Sequence, residues 1–403
     1  MRRYLVLANG PGEVWGWARP LLKEILRRKD LPELCLLPCQ FASGRELEAV
    51  ERHLPVQVYP LSGKTLFRQP RKGFYSGIIQ LGGDLLFGRY FAWRYGCPLA
   101  TYTYGWKKGL RSCCLVGTAF ETMRKNLEKR GESSLVTGDL VASALEADPH
   151  VFSWKAPEGR RVAFFPGSRK AIRQAALAYA GEIRGALVKR VPEVEMVALL
   201  SPFSDPEEPP LWEKEGFRTV TTDTGGVLEK ADLALTQPGT NTLELLHTRT
   251  PGIVAVPDRF LSLVPLPGIL GGLDRIPFVR SRIRQFGIRR LRSSLRDYLA
   301  WPNRIAGKEI LPERIGPCSP EEMASEAAEL LLSPERREIM QKDLAWLGEE
   351  TIERPGDDEE ASSFSSLPSS SPLRLSVHSR GGTAEDHRNA AVRFMNILEE
   401  RME

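Results

Sequence analysis

Two stretches in the second half of the chain combine residue types that can hold a diphosphate. The first is Phe164-Phe165-Pro166-Gly167-Ser168-Arg169, a glycine turn between an apolar run and a helix-like run. A helix N-terminus presents free N–H groups and partial positive charge, so a phosphate docks there. Arg169 adds a charge-assisted donor. The plain alternative is a connection in which Ser168 only caps the helix. The second stretch runs from Thr236 through Gln237-Pro238-Gly239-Thr240-Asn241-Thr242 to Glu244. Gly239 lets backbone approach a ligand closely. Thr240, Asn241 and Thr242 open a helix with backbone and hydroxyl donors. Glu244 lies one turn in, and its two oxygens suit the paired hydroxyls of a ribose. Asn241 and Glu244 also have capping-box spacing, and the two readings are compatible. Two phosphate-type turns in one half of the chain favour a nucleotide site.

Carboxylates of the first half could work on an acceptor. Asp84, in Gly82-Gly83-Asp84, follows a strand-like run. Ligands of open α/β sheets bind beyond the carboxyl ends of strands, where a carboxylate can act as general base toward a hydroxyl. A helix cap is the competing role. The opening loop Asn9-Gly10-Pro11-Gly12-Glu13 has two close glycines, but its next one is Gly16, so the dinucleotide spacing fails. Gly10 and Gly12 still allow close ligand approach, with Glu13 as a second base candidate. Asn303 and Glu313, in the Pro302–Glu313 stretch, are candidates for contacting the donor. By composition alone that stretch reads as a turn and a solvated helix.

Other signatures fail. Gly63-Lys64-Thr65 has the tail of a phosphate loop, but Val58 stands where its leading glycine belongs. The five histidines and six cysteines show no metal-ligand spacing, so neither a metal nor a cofactor is expected. Free thiols are the expected state of the cysteines.

Positioning such residues takes strands that end in turns. Tyr4–Ala8, Glu33–Leu37, Val56–Tyr59, Gly77–Leu81, Leu99–Tyr104 and Cys113–Val116 read as strands separated by helical patterns. A second series follows, with strands at Arg161–Phe165, Glu195–Leu200, Leu233–Thr236 and Gly252–Val256 and helices at Ile172–Val188 and Asn241–His247. Strands alternating with helices predict mostly parallel sheets covered on both faces. The expected division is a first Rossmann-like domain over 1–152 for the acceptor and a second over 160–345 for the donor. A disordered serine-rich insertion over 356–386 and a C-terminal helix over 387–403 that packs back on the first domain complete it.

The chain has 403 residues, of which 42% are hydrophobic and 27% charged, and a net charge of +5. This is an ordinary globular composition with room for two cores. The opening apolar run is too short for a signal peptide, and no run approaches the roughly 20 residues of a membrane span. A cytoplasmic location is therefore expected. Eight arginines between Arg275 and Arg296 follow the apolar Phe260–Leu270 run. Basic and apolar residues together suit an anionic membrane face, so Phe260–Arg296 is expected as a peripheral membrane contact rather than a nucleic-acid groove.

The pieces "FFPGSRKAI", "ADLALTQPGTNTLELLHTRTPGIVAV" and "PNRIAGKEILPE", in this order, resemble lipid A disaccharide synthase. Weaker similarity covers "GIIQLGGDLLF" and "YTYGWKK" in the first half, the latter near the family's "WAWR". The resemblance implies a GT-B fold, two Rossmann-like domains facing a central cleft. It also implies inverting transfer of a glucosamine unit from a UDP-sugar to a lipid-linked acceptor at the inner membrane face. By the same resemblance Ser168, Arg169, Gly239, Thr240, Thr242 and Glu244 line the nucleotide site and Asn303 and Glu313 lie near the donor. Asp84 falls where the family has the aspartate of its "DxPDF" stretch. The acceptor half departs from the family: "NGPGEVWGW" stands where it has "GExSGD". The expected partners are a UDP-sugar and a lipid-linked or other hydroxyl acceptor, with a homodimer allowed. The alternatives are a UDP-sugar epimerase or hydrolase on the same fold, and a non-catalytic nucleotide-sugar binder.

Overall fold

The structure is a computed structural model that describes residues 1–39, 42–67, 72–261, 298–352 and 389–403. The serine-rich 356–386 segment lies outside the described residues, as does nearly all of the Phe260–Arg296 stretch.

Strands β1 (Arg3–Ala8), β2 (Leu31–Leu36), β3 (Gln57–Pro60), β4 (Gly77–Leu81), β5 (Leu99–Tyr102), β6 (Leu115–Thr118) and β7 (Leu135–Val136) form one sheet in the order β3-β2-β1-β4-β5-β6-β7. Strands β8 (Arg161–Phe164), β9 (Glu195–Leu199), β10 (Arg218–Val220), β11 (Leu233–Thr236), β12 (Gly252–Pro257) and β13 (Glu313–Gly316) form the second, in the order β10-β9-β8-β11-β12-β13. Neighbouring strands pair in parallel throughout. A parallel sheet covered on both faces needs near-continuous apolar strands. Tyr4–Ala8 and Leu233–Thr236 meet that demand and are wholly buried.

Each sheet has one place where the strand order reverses, between β1 and β4 in the first and between β8 and β11 in the second. There the helices leaving two adjacent strands go to opposite faces, and a crevice opens beyond the carboxyl ends. The chain puts its glycine turns at these points: Gly10 and Gly12 after β1, Gly82 and Gly83 after β4, Gly167 after β8 and Gly239 after β11.

β1 leads into a helix that starts at Pro11, widens into a π turn over Val14–Ala18 and continues as Arg19–Arg27. The last helix, Ala390–Met402, lies on the first sheet's helices. Asn389 caps it through Ala391 N and Val392 N and donates to Glu146, and Arg28 reaches Val392 O and Asn396.

Candidate functional site

The helix Lys170–Arg190 begins directly after the β8 turn, with Arg169 at its cap and no capping bond from the Arg169 side chain. Ser168 is exposed and does not cap; its carbonyl accepts from Arg173 at 2.7 Å. Arg173 is itself buried against Glu208 at 2.7 and 2.8 Å, which fixes the start of the helix. Gly167 has φ +100, and a Cβ there would stand 3.0 Å from Ile172. Burial holds the Arg169 guanidinium below its ordinary pKa, opposed weakly by the Cys39 thiol. A bound anion would offset that desolvation.

The β11 turn is tied to the β8 turn, because Gln237 Nε2 donates to Pro166 O at 3.2 Å. Thr240 stands at the cap of helix Asn241–Thr248, again with no side-chain cap. The capping-box alternative is not realised: Asn241 Nδ2 donates back to Thr236 Oγ1, and Glu244 turns to the cleft. Two helix N-termini without a side-chain cap thus converge beyond the reversal point of the second sheet.

A cleft of about 450 Å³ lies between the halves, within the usual range for small-molecule sites. Gly12, Trp15 and Arg19 line it from the first half, and Ser168, Arg169, Gly239, Thr240, Asn241 and Glu244 from the second. Glu244 sits on its wall, and no donor among the described residues reaches its carboxylate. Burial, then the charges of Asp148 and Asp139, opposed by Arg19, push it up to about 7. Arg19 Nη1 is held by Asp148 Oδ1 at 2.9 Å, both buried, while the other Asp148 oxygen accepts from Gly225 N at 2.9 Å. Sequence reasoning missed this pair, whose members are 129 positions apart with no local pattern.

Thr242, Asn303 and Glu313 serve the wall behind the cleft. Thr242 is buried; it donates to Gly239 O and accepts from Trp301 N. Asn303 is fully buried and makes four hydrogen bonds, to Leu311 O, Glu313, Ile310 N and Leu311 N. Glu313 accepts from Leu299 N and Ala300 N. Leu299 is the cleft-lining residue of this knot.

The carboxylates of the first half gather at the reversal point between β1 and β4. Glu13 folds over both glycine turns: a Cβ on Gly10 would stand 2.4 Å from its Oε2, and one on Gly82 2.8 Å from its Cγ. Gly82 and Gly83 have φ +75 and +64. Asn9 joins them, with a buried Oδ1 that has no hydrogen-bond partner among the described residues. Asp84 is exposed and accepts from Leu86 N at 3.0 Å, which is its helix-capping role. Lys107, from the loop after β5, completes the group. Burial lowers its ammonium pKa, and the charges of Glu13 and Asp84 oppose that. Its only sequence signal was its place in the "YTYGWKK" stretch. The cluster faces the second half: a Cβ on Gly12 would lie 4.0 Å from Thr240 Oγ1.

The halves are also latched beside the cleft. Asp139 Oδ2 meets His247 Nε2 at 2.7 Å, and its Oδ1 accepts from Tyr104 at 2.6 Å and from Val141 N at 3.1 Å. Tyr104 in turn accepts from Trp17 Nε1.

No protein-family model matches the chain, and no curated protein matches its sequence. Solved structures do match its fold. The UDP-GlcNAc 2-epimerase from Neisseria meningitidis bound to UDP-GlcNAc aligns with a TM-score of 0.50 at 13% identity, over 86% of this chain and 96% of that one. The spinosyn rhamnosyltransferase SpnG complexed with thymidine diphosphate gives 0.50 at 11% identity, over 87% and 96%. MurG from Acinetobacter baumannii gives 0.46 at 12% identity, over 87% and 96%. With its two parallel sheets opening on one cleft, the chain has the GT-B fold. The two that align at a TM-score of 0.50 are a UDP-GlcNAc 2-epimerase and a rhamnosyltransferase.

Proposed function

We propose that the chain is an inverting glycosyltransferase that moves a sugar of the N-acetylglucosamine type from a UDP-sugar to a hydroxyl of a lipid-linked acceptor, related in its donor half to lipid A disaccharide synthase. The observation that carries the reading is the Glu244 carboxyl, which no donor among the described residues reaches, on a cleft wall between two helix N-termini whose cap side chains make no capping bond. The diphosphate rests on the N–H groups at Arg169–Lys170 and Thr240–Asn241, with the Arg169 guanidinium beside it. The ribose hydroxyls donate to Glu244. These fixed positive groups stabilise the charge that develops on the leaving diphosphate.

Of the two base candidates, Glu13 fits better. Asp84 is exposed and occupied by Leu86 N, whereas Glu13 lies over the glycine turns next to Gly12 and Thr240. In the reaction the acceptor oxygen attacks the anomeric carbon from the face opposite the diphosphate. The new C–O bond forms as the bond to the phosphate oxygen breaks, the leaving UDP keeps the electron pair, and Glu13 takes the hydroxyl proton.

Calorimetric titration with UDP-N-acetylglucosamine, on wild type and Glu13→Gln, tests the reading. Saturable binding retained by Glu13→Gln, with turnover of donor in membrane extract reduced about 10²–10⁴-fold, supports it. Absence of binding overturns the donor site. Conversion of the donor to an isomer without any acceptor favours the epimerase alternative, and binding without turnover favours the non-catalytic one.

A further inference from the structure

The helix Asn241–Thr248 carries two groups of different use. Glu244 lines the donor cleft, and His247, three residues further, reaches into the first half. There its Nε2 donates to Asp139 Oδ2 at 2.7 Å, and its ring stacks on Phe120 with centroids 6.4 Å apart. Both side chains of the pair are nearly closed to solvent. The other Asp139 oxygen accepts from the Tyr104 hydroxyl at 2.6 Å. That hydroxyl has one proton, so toward Trp17 Nε1, at 3.3 Å, it accepts. Both neighbours belong to the elements that carry the acceptor cluster. Trp17 lies in the π turn directly after Glu13. Tyr104 opens the loop of Lys107, which Thr103 braces by donating to Gly105 O and accepting from Gly105 N. The Tyr104 ring also meets Trp301 of the second half at 5.2 Å, and Trp301 N donates to Thr242 on the same donor helix. Two routes, through His247 and through Trp301, thus run from one short helix to one tyrosine.

We propose that His247 is a positioning residue that couples the donor site to the acceptor cluster through Asp139 and Tyr104. A nucleotide seated on Glu244 and on the Thr240–Asn241 turn fixes the helix Asn241–Thr248, and with it the place of His247. Hydrogen bonds to a buried carboxylate are short, strong and directional, so the Asp139 bond fixes Tyr104 in turn. Tyr104 then holds the Lys107 loop and, through Trp17, the turn of Glu13. The acceptor cluster takes its working arrangement over an occupied donor site, and an empty cleft leaves it looser. Such coupling is reciprocal: whatever settles the Tyr104 loop also tightens nucleotide binding. The inference rests on the glycosyltransferase reading, which supplies the nucleotide and gives the cluster its use.

The test is amide hydrogen exchange of the whole protein with and without saturating UDP, on wild type, His247→Leu, His247→Gln and Tyr104→Phe. Glutamine keeps a donor near the Nε2 position, and phenylalanine keeps the ring while removing the hydroxyl. UDP should slow exchange in 237–244 in every protein. In 103–109 it should slow exchange about tenfold in wild type and His247→Gln, and less than about threefold in His247→Leu and Tyr104→Phe. Should His247→Leu fail to fold, Tyr104→Phe decides alone. Equal slowing of 103–109 in all four proteins would overturn the inference, as would a wild type in which UDP slows 237–244 alone. Faster exchange of 103–109 in the variants, by the same factor with and without UDP, would also overturn it, because the bond would then be a brace only. Calorimetric titration of UDP on the same samples separates the two readings: absence of binding removes the donor site and this coupling together, whereas binding without a response at 103–109 removes the coupling alone.

Discussion

Glu244→Gln probes the donor half through stability as well as binding. The folded protein raises Glu244 from 4.5 to about 7, chiefly by burial. At ~1.36 kcal/mol per unit this amounts to at most about 3 kcal/mol. The native state holds this proton more tightly than the unfolded chain does. Stability from the group is therefore fully present below pH 4.5, declines as pH rises toward about 7, and is absent above. Glutamine has nothing to ionise. The melting temperature of wild type relative to Glu244→Gln should fall by about 5 °C between about pH 4 and pH 8, taking roughly 2 °C per kcal/mol for a chain of this size. Scanning calorimetry across that range reads the difference directly, and other titrating groups cancel between the two proteins. Saturating UDP should shrink the difference, because ribose hydroxyls donate to the ionised form. A gap that stays flat with pH would refute the claim that this carboxyl is desolvated on the cleft wall.

Arg169→Ala should weaken UDP binding about tenfold to a hundredfold through loss of a charge-assisted contact, which calorimetric titration measures. Asn303→Ala removes four buried hydrogen bonds and should destabilise by about 2–4 kcal/mol; chemical denaturation measures it, and any loss of UDP affinity should follow the loss of folded protein. His247→Ala leaves Asp139 buried without its partner across the cleft, and should cost about 1–3 kcal/mol while speeding proteolysis between the halves. An unchanged proteolysis rate would mean that the latch does not hold them together.

The second half's share of the candidate cleft was legible because its residues are local. Strand, glycine, hydroxyl residues and carboxylate follow one another within a dozen positions, and the β8 and β11 turns need only be brought side by side. Short edge strands were harder. β7, β10 and β13 are two to four residues long, too short for an apolar period to show. That brevity also hid the role of Glu313, which begins β13 and serves Leu299, Ala300 and Asn303 instead of facing the cleft. The Arg19–Asp148 pair and the Asp139–His247 latch join residues more than a hundred positions apart, and no periodicity reports such a meeting. Asn9 and Lys107 were missed for the same reason: only the strand order β1-β4-β5 makes the turns after β1 and β5 neighbours of the turn after β4.

The π turn over Val14–Ala18 has a consequence for how this chain tolerates change. A regular helix advances about 100° per residue, and a π turn accommodates one residue more than the regular count. Pro11 and Gly12 before it, Trp15 and Gly16 within it and Arg19 after it line the cleft, while Val14, Trp17, Ala18 and Leu21 are buried in the first core. Cleft and core residues alternate through this segment, so the widened turn sets the phase of both faces. Loss of a single residue here would mend the helix and yet rotate the cleft residues by about 100° away from the substrate. In this segment the number of residues matters more than their identity, so substitutions should be tolerated according to packing while any one-residue deletion should abolish function.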